Sequence, residues 1–461
     1  DFQKEIEQTG LQHNHHIAFS GGTNTSNYRV SLALMNREGV IVNEKLQNFT
    51  SNMNMTQYIF DNFLKCDLGM FGSIQKERNL VNLHKVFYSA AAFNPTFPNH
   101  KNPETGSWDG SVLASQLSHP LAWMDVNDKD ATSHISTHAR LTFNLSEAWK
   151  LALFGSYTYN VIENSQYLPV AVWAQGQAYK GTKKMESLLG NLMLSYKKEW
   201  RKHFFDVLGL AEVQKDQYSG FYTTVTNFSI DGLGYNNLQG GALRPWEGTN
   251  SYYEDPRLAS FMGRFNYTYA DRYSLTMTAR TDASSKFGPG NQRGYFPSIS
   301  LGWRMSSENF MADTEKVDDL KLRFSWGQTG STNIDDFVYR QFYEKGNPYI
   351  GQSTLTPGLL PNPDIKWERT SEFNGGLDYA FFNHRLFGSI DGYYRYTKGA
   401  LAPSPYPLES GSTSYTSNLI DLSNKGVEIE IGGDIIRTAD WTWTSKFNIA
   451  LNRNKIEKLN G

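Results

Sequence analysis

The sequence predicts an all-β protein, a large antiparallel β-barrel that crosses a membrane. Three observations carry this prediction. Apolar and polar residues alternate along many segments, these segments are unusually long, and short and long connections follow one another in turn. In the wall of such a barrel, one face of each strand meets lipid and the other meets the interior, and the short turns collect on one side of the membrane.

The alternation is clearest near the C-terminal end of the chain. Val427, Ile429 and Ile431 alternate there with Glu428 and Glu430. Because successive side chains of a strand point to opposite faces, this pattern gives one apolar face and one charged face. The same period of two recurs in three further segments, residues 264–269, 320–326 and 441–452.

The predicted strands are long. Applied to the whole chain, the pattern gives about sixteen strands, many of them about 10 to 15 residues long. Strands of globular proteins average roughly five or six residues, whereas a tilted strand needs about 9–11 residues to cross a bilayer. The predicted strands therefore suit a transmembrane barrel better than a sandwich.

The connections between the predicted strands alternate in length. Short links are predicted at 23–26, 146–148, 201–202, 271–272, 383–384 and 438–440. Long polar loops are predicted at 75–131, 161–183, 218–255, 331–366 and 399–422. Long loops on one side and short turns on the other are typical of outer-membrane barrels, and neither a sandwich nor a propeller segregates loop lengths in this way.

The composition excludes several other classes of protein. Of the 461 residues, 39% are apolar, and no stretch approaches the roughly 20 apolar residues of a membrane helix. A formal charge of -2 does not indicate nucleic-acid binding, and a single cysteine, Cys66, excludes an internal disulfide. The chain begins with Asp1 and shows no signal peptide, so we expect its natural N-terminus to be missing.

Aromatic residues of the predicted long loops are the candidate ligand contacts. Flat rings can stack on sugar faces or line a channel for peptides, and functional residues favour loops. The candidates are Trp108, Trp123, Trp173, Trp246, Tyr252 and Tyr253. The alternative interpretation is that most of these rings pack the long loops together.

An acidic segment near residue 128 is a weak candidate for a calcium site. Asp125, Asn127, Asp128 and Asp130 offer oxygen ligands of the kind that Ca²⁺ prefers. The segment lacks the spacing and the glycine of an EF-hand, so a solvated loop is the favoured interpretation and no metal site is predicted.

No catalytic motif is present in the sequence. It contains neither H-E-x-x-H nor G-x-S-x-G, and we expect neither an enzyme nor a cofactor. Two alternatives to a barrel stay open. One is a soluble or surface-attached β-rich carbohydrate-binding protein; the other is an all-β hydrolase, which needs two carboxylates at a fixed separation.

Several segments resemble the SusC/RagA family of TonB-dependent outer-membrane transporters. Residues 280–304, RTDASSKFGPGNQRGYFPSISLGWR, are similar to the family signature R-x-D-G-S-S-x-F … F-P-S-x-S-x-G-W-R. The segments NPDIKWE (362–368), DLSNKGVEIEI (421–431) and HIAFSGGT (16–23) resemble further family segments in the same order, so the likeness runs from about residue 12 to 459. Ala283 in place of Gly and Ser331 in place of Asn are local departures.

The resemblance implies an outer-membrane importer of oligosaccharides or peptides. It implies a 22-stranded barrel filled by an N-terminal plug, a SusD-like surface lipoprotein as a lid, and energy from the TonB-ExbB-ExbD complex through the plug. We therefore expect residues 1–461 to be a partial barrel domain, in which about sixteen of the 22 strands are present and the plug and the last strands are absent.

Overall fold

The computed structural model describes residues 1–109, 117–232, 234–245, 248–358, 360–405, 407, 409 and 414–459. Over these residues the chain folds mainly into antiparallel strands, twenty in number. Sixteen of the twenty have at least 11 residues, and four short strands lie within the connections. The all-β class and the predicted number of about sixteen long strands are confirmed.

The strands of the described residues are β1 (Gln12–Gly22), β2 (Ser26–Glu38), β3 (Lys45–Ile59), β4 (Leu64–Asn79), β5 (Asn127–Asn144), β6 (Trp149–Leu168), β7 (Gln177–Trp200), β8 (His203–Phe228), β9 (Gly241–Leu243), β10 (Thr249–Glu254), β11 (Arg257–Tyr269), β12 (Tyr273–Ser284), β13 (Arg293–Arg304), β14 (Val317–Ser331), β15 (Tyr343–Tyr349), β16 (Gln352–Pro357), β17 (Glu368–Phe381), β18 (Leu386–Pro405), β19 (Ser414–Arg437) and β20 (Thr442–Lys458). The α-helices are α1 (Phe2–Ile6) and α2 (Leu83–Ala92), and a 3-10 helix covers Pro120–Asp125. Within the described part of the chain, no helix has both the length and the apolar character needed to cross a membrane.

The chain divides into two compact units. The first comprises Asp1–Leu141, Phe154–Leu189 and Lys215–Asp255, and the second comprises Thr142–Leu153, Gly190–Gln214 and Pro256–Gly461. In the first unit, β1 pairs with β2, β2 with β3 and β3 with β4, and β10 pairs with β8. In the second, β11 to β14 pair in chain order, β14 pairs with β17, and β17 to β20 again pair in chain order.

The connections alternate in length as predicted. Every second connection between the long strands has between two and four residues, with the exception of 305–316. The short ones are 23–25, 60–63, 145–148, 201–202, 270–272, 382–385 and 438–441. The connections between them include the longest of the chain, 80–126, 229–256 and 332–367.

Several predicted loop limits need correction. β6 continues to Leu168 and β7 begins at Gln177, so the predicted loop 161–183 is reduced to 169–176. In the same way β8 extends into 218–255, and β18 and β19 leave only 406–413 of the predicted loop 399–422. The predicted loop 75–131 becomes 80–126, and 331–366 contains the β15–β16 hairpin. The added ends of β6, β7 and β8 pack in a small core of Tyr167, Ala178, Val225 and Phe228, so these strands continue past the segments that the alternation marks.

The two faces of the second unit's strands differ as the alternation predicts. Leu322 and Phe324 are 45% and 49% exposed on one face. Arg323, which lies between them, points to the other face, where its guanidinium binds Asp378 at 2.7 Å and Asp391 at 3.1 Å. The apolar side chains therefore lie outside a hydrophobic core, whereas the charged ones are paired with one another.

Two of the family-like motifs, residues 280–304 and 362–368, meet in one small core of the second unit. Phe287 and Phe296 belong to the first motif, and both rings pack on Trp367 of the second, with ring centroids 5.2 and 5.4 Å apart. The Trp367 indole N–H donates to the Gln292 carbonyl at 2.9 Å. Ile365 and Phe287 are fully buried. The motifs are thus structural, since they anchor the connection 285–292 to the start of β17.

We predict that Phe287→Ala destabilises the protein by about 3–5 kcal/mol, because it removes a fully buried ring and leaves a cavity. Phe310→Ala is the matched control, since Phe310 is 66% exposed and its loss leaves no cavity. The free energy of unfolding of both variants in detergent checks this. Equal losses in the two variants would contradict the structural role of the motif.

Candidate ligand cleft

The described residues of the long connection 80–126 form a packed body with α1 in the first unit. The helix α2 and the 3-10 helix at Pro120–Asp125 pack with α1 around a hydrophobic cluster. The buried members of this cluster are Phe2, Ile6, Ile41, Val86, Ala90, Phe93, Trp123, Met124, Val126 and Leu168. A connection of this length is uncommon without structure of its own, and this one is stabilised by a core.

His119 makes hydrogen bonds within this body through both ring nitrogens. Its Nδ1 accepts the Leu121 N–H at 3.2 Å, which leaves Nε2 to donate to the Pro98 carbonyl at 3.1 Å. The imidazole is fully buried and stacks on Trp108 with ring centroids 4.7 Å apart. Burial lowers the pKa of His119 below its ordinary value, against the opposing effects of the Pro98 carbonyl and Asp109. The ring is therefore neutral, as its acceptor role requires.

Trp108 is tied to its neighbours on several sides. Its indole N–H donates to Asp125 at 2.7 Å, and one ring face stacks on His119. The Lys101 ammonium lies 5.7 Å from the ring centroid and binds Asp125 at 2.9 Å. These contacts fit the alternative interpretation of this candidate, in which the ring packs the loop.

Trp123 and Trp173 lie together at a cleft of about 680 Å³, a volume typical of small-molecule sites. Trp173 is 47% exposed, and Tyr88 of α2 adds a second ring that is 65% exposed. The polar lining comes from side chains that carry no negative charge, His84, Lys85, Ser89, Ser118 and Gln175. The cleft thus combines open aromatic faces with hydrogen-bonding groups.

Trp123 has an unusual position in this cleft. The side chain is only 5% exposed, and its indole N–H has no hydrogen-bond partner among the residues that the structure describes. A buried donor without an acceptor costs free energy, on the order of 1–3 kcal/mol.

The other aromatic candidates lie elsewhere. Tyr252 and Tyr253 are neighbours on β10, so they point to opposite faces, and the Tyr253 hydroxyl donates to Gln217 at 3.1 Å. Neither lines the cleft. Trp246 lies outside the described residues. The structure therefore brings together two of the six candidates, Trp123 and Trp173, at one cleft.

Two of the four candidate calcium ligands, Asp125 and Asp130, are engaged by protein groups. Asp125 binds Lys101 and Trp108, as described above, and Asp130 accepts hydrogen bonds from Asn79 at 3.0 Å and Asn164 at 2.6 Å. Asn127 and Asp128 open β5. Over the described ranges, no three His, Cys, Asp or Glu side chains are arranged so that they could hold a metal ion.

α2 contributes to the cleft, although the sequence did not predict a helix here. His84, Lys85 and Tyr88 lie on this helix, inside a segment predicted to be loop. A signal was available, since the helix ends in three alanines and buries Val86 and Ala90 at a spacing of four.

Comparison with known proteins identifies the fold. A family profile described as "TonB dependent receptor-like, beta-barrel" matches residues 78–458, well over half of the chain. TonB-dependent receptor SusC of Bacteroides thetaiotaomicron is 30% identical over 499 residues, which cover 100% of this chain and 48% of SusC. TonB-dependent receptor P3 of Formosa agariphila is 31% identical over 477 residues, which cover 100% of this chain and 47% of that protein. The chain spans about half the length of the curated relatives it matches.

Solved structures give the same result for the fold. The RagAB peptide transporter superposes with a TM-score of 0.82 at 21% identity, over 100% of this chain and 52% of the other. The ferric citrate transporter FecA superposes with a TM-score of 0.61 at 9% identity, over 98% of this chain and 58% of the other. At these identities the likeness concerns the fold alone.

We predict that mild acid loosens the body around His119. Because the pKa of the folded imidazole lies below the value of about 6.5 for the unfolded chain, the unfolded state binds more protons, and stability is lost as the pH falls from about 6.5 through the lowered pKa. Protonation also removes the acceptor of the Leu121 N–H. Amide hydrogen exchange of residues 117–126, corrected for intrinsic rates, should show protection falling below pH 6.5.

His100→Gln is the control for this experiment, since His100 is exposed and its replacement should leave the loss of protection unchanged. His119→Gln should abolish the pH-dependent step. Persistence of the step with the same midpoint in His119→Gln would show that another group is responsible.

Proposed function

The chain belongs to the TonB-dependent receptor β-barrel family, and on this premise we propose that it forms part of an importer that takes up an oligosaccharide or a peptide. Proteins of this family reside in the bacterial outer membrane, and so does this one. The family comprises receptors and transporters, so the work expected of this chain is binding and passage and not covalent chemistry. A soluble carbohydrate-binding protein, the alternative from the sequence, is disfavoured.

The observation that carries the ligand proposal is the cleft beside Trp123 and Trp173. The exposed rings of Trp173 and Tyr88 offer flat apolar faces to the apolar face of a sugar ring or to a peptide side chain. The polar side chains of His84, Lys85 and Gln175, which line the cleft, offer donors to a hydroxyl or carbonyl oxygen. Oligosaccharides and peptides both carry such oxygens beside apolar surface.

The proposed transport cycle depends on partners beyond the 461 residues. A SusD-like lipoprotein covers the long loops and delivers the ligand, and a plug blocks the barrel until the TonB-ExbB-ExbD complex pulls on it. The energy comes from the proton gradient of the inner membrane. In this cycle the cleft binds the ligand first, and the interior faces of the strands then line a polar path for the ligand.

We predict that Trp173→Ala and Tyr88→Ala each weaken ligand binding about two- to tenfold, because each removes a stacking face of roughly 0.5–1.5 kcal/mol. The measurement is calorimetric titration of the detergent-solubilised protein with a panel of oligosaccharides and peptides. Tyr349→Ala is the matched control, since Tyr349 is 70% exposed in the β15–β16 hairpin and lies outside the cleft.

Two outcomes would count against the proposal in different ways. If a panel member binds the unaltered protein and both cleft variants equally well, the cleft is not the recognition site. If bacteria without TonB accumulate the bound panel member as fast as those with TonB, the import mechanism is wrong even where binding is correct.

A further inference from the structure

Two glycines open a groove on the apolar face of the second unit's strands. Gly375 of β17 lies directly opposite Gly392 of β18, and Phe324 and Val427 flank the pair in the same cross-strand row. A Cβ atom added to either glycine would meet nothing within 4 Å. Side chains on the adjacent rows stand above this gap and leave a groove of about 670 Å³.

The walls of the groove are apolar and open to the surroundings. Phe373, Tyr394 and Leu451 are 46%, 42% and 65% exposed along it. On the apolar face of a protein in the outer membrane, such a groove borders the hydrocarbon of the bilayer. An acyl chain matches it in shape and in polarity.

Two cations stand at one end of the groove. Lys425 of β19 lies directly opposite Arg453 of β20, one row beyond Val427 and Leu451. Both side chains are exposed, and neither makes a hydrogen bond or a salt bridge with a residue of the described ranges. Glu457 interacts with Lys425 at longer range, but its carboxylate is bonded to Lys455 and Ser423. The pair is available to an anion.

Lys425 and Arg453 lie at the depth expected for the lipid headgroups. From Trp441, directly before β20, to Leu451, every second residue except Ser445 is apolar. Ten steps of about 3.3 Å, at a tilt of about 45°, give about 23 Å, close to the apolar band of about 25 Å in outer-membrane barrels. Arg453 and Lys425 lie just beyond its end, on the side of connection 406–413.

We propose that this groove is a binding site for a phosphorylated lipid of the membrane leaflet that surrounds the long connections. One acyl chain lies over Gly375 and Gly392 between the aromatic walls, and the phosphate binds Lys425 and Arg453. The bound lipid fixes the protein at its depth in the bilayer and covers the gap that the glycines leave in the apolar wall.

The test measures lipid binding by the complete protein that carries this chain, purified in dodecyl maltoside. Native mass spectrometry counts bound lipid during titration with dioleoyl phosphatidic acid. In the double variant Lys425→Gln/Arg453→Gln, the affinity for this lipid should fall about 10- to 30-fold, since each cation near a membrane surface contributes a few-fold or more. Binding of dioleoyl phosphatidylcholine, which has no net charge, should change little.

Filling the groove tests the acyl chain separately. Gly392→Leu should lower the affinity for both lipids at least about fivefold, because the new side chain occupies the gap while folding is preserved by the open space around the Cβ position. Gly263→Leu is the matched control, since Gly263 shares the apolar face of β11 with Phe261 and also has open space at Cβ. Lys202→Gln in a short turn is the control for the loss of charge.

The proposal is overturned if both groove variants bind phosphatidic acid as the unaltered protein does, or if the controls lose as much affinity as the groove variants. It is also overturned if inorganic phosphate, at the concentration of the lipid, displaces the lipid completely. That result would identify an anion site in which the groove takes no part.

Discussion

The constraint on which the rest of the structure depends is that the two faces of each long strand meet different surroundings. On β14, Leu322 and Phe324 are exposed, whereas Arg323 between them is held by two carboxylates. A shift of register by one residue would place the guanidinium in the apolar surroundings and the apolar side chains in the polar interior. Strand pairing, turn position and membrane depth all follow from this alternation. It also explains how a chain that is only 39% apolar can form a membrane protein.

The parts of the fold that alternation governs could be predicted from the sequence. The sixteen long strands, and the short turns at every second connection, follow from a period of two that is interrupted by polar residues. The limits of the long loops could not be predicted in the same way. β7 and β8 extend into the predicted loops, where Ala178, Val225 and Phe228 pack in a core with Tyr167, and such packing cannot be read from a period of two.

The cleft shows a different limit of sequence analysis. The sequence did not distinguish the six loop aromatics as ligand contacts, because all six were predicted to lie in long loops. The fold distinguishes them through packing: His119 and Asp125 hold Trp108, whereas Trp173 remains half exposed beside Trp123. That distinction depends on the packing of α2 and of the buried His119 ring. Both lie within the connection 80–126, where the residue types alone do not show which side chains will be in contact. The motifs at 280–304 and 362–368 meet at a core around Phe287 and serve the barrel wall.

The most direct measurement of the central claim is a cysteine scan of residues 426–432 in β19, with Cys66 replaced by serine and the protein assembled in its own outer membrane. Each cysteine carries a fluorophore that is exposed in turn to a lipid-soluble and a water-soluble quencher. The account predicts that lipid-soluble quenching is strong at Val427, Ile429 and Ile431 and weak at Glu428 and Glu430, with the opposite order for the aqueous quencher. Equal quenching of neighbouring positions by both agents would contradict it.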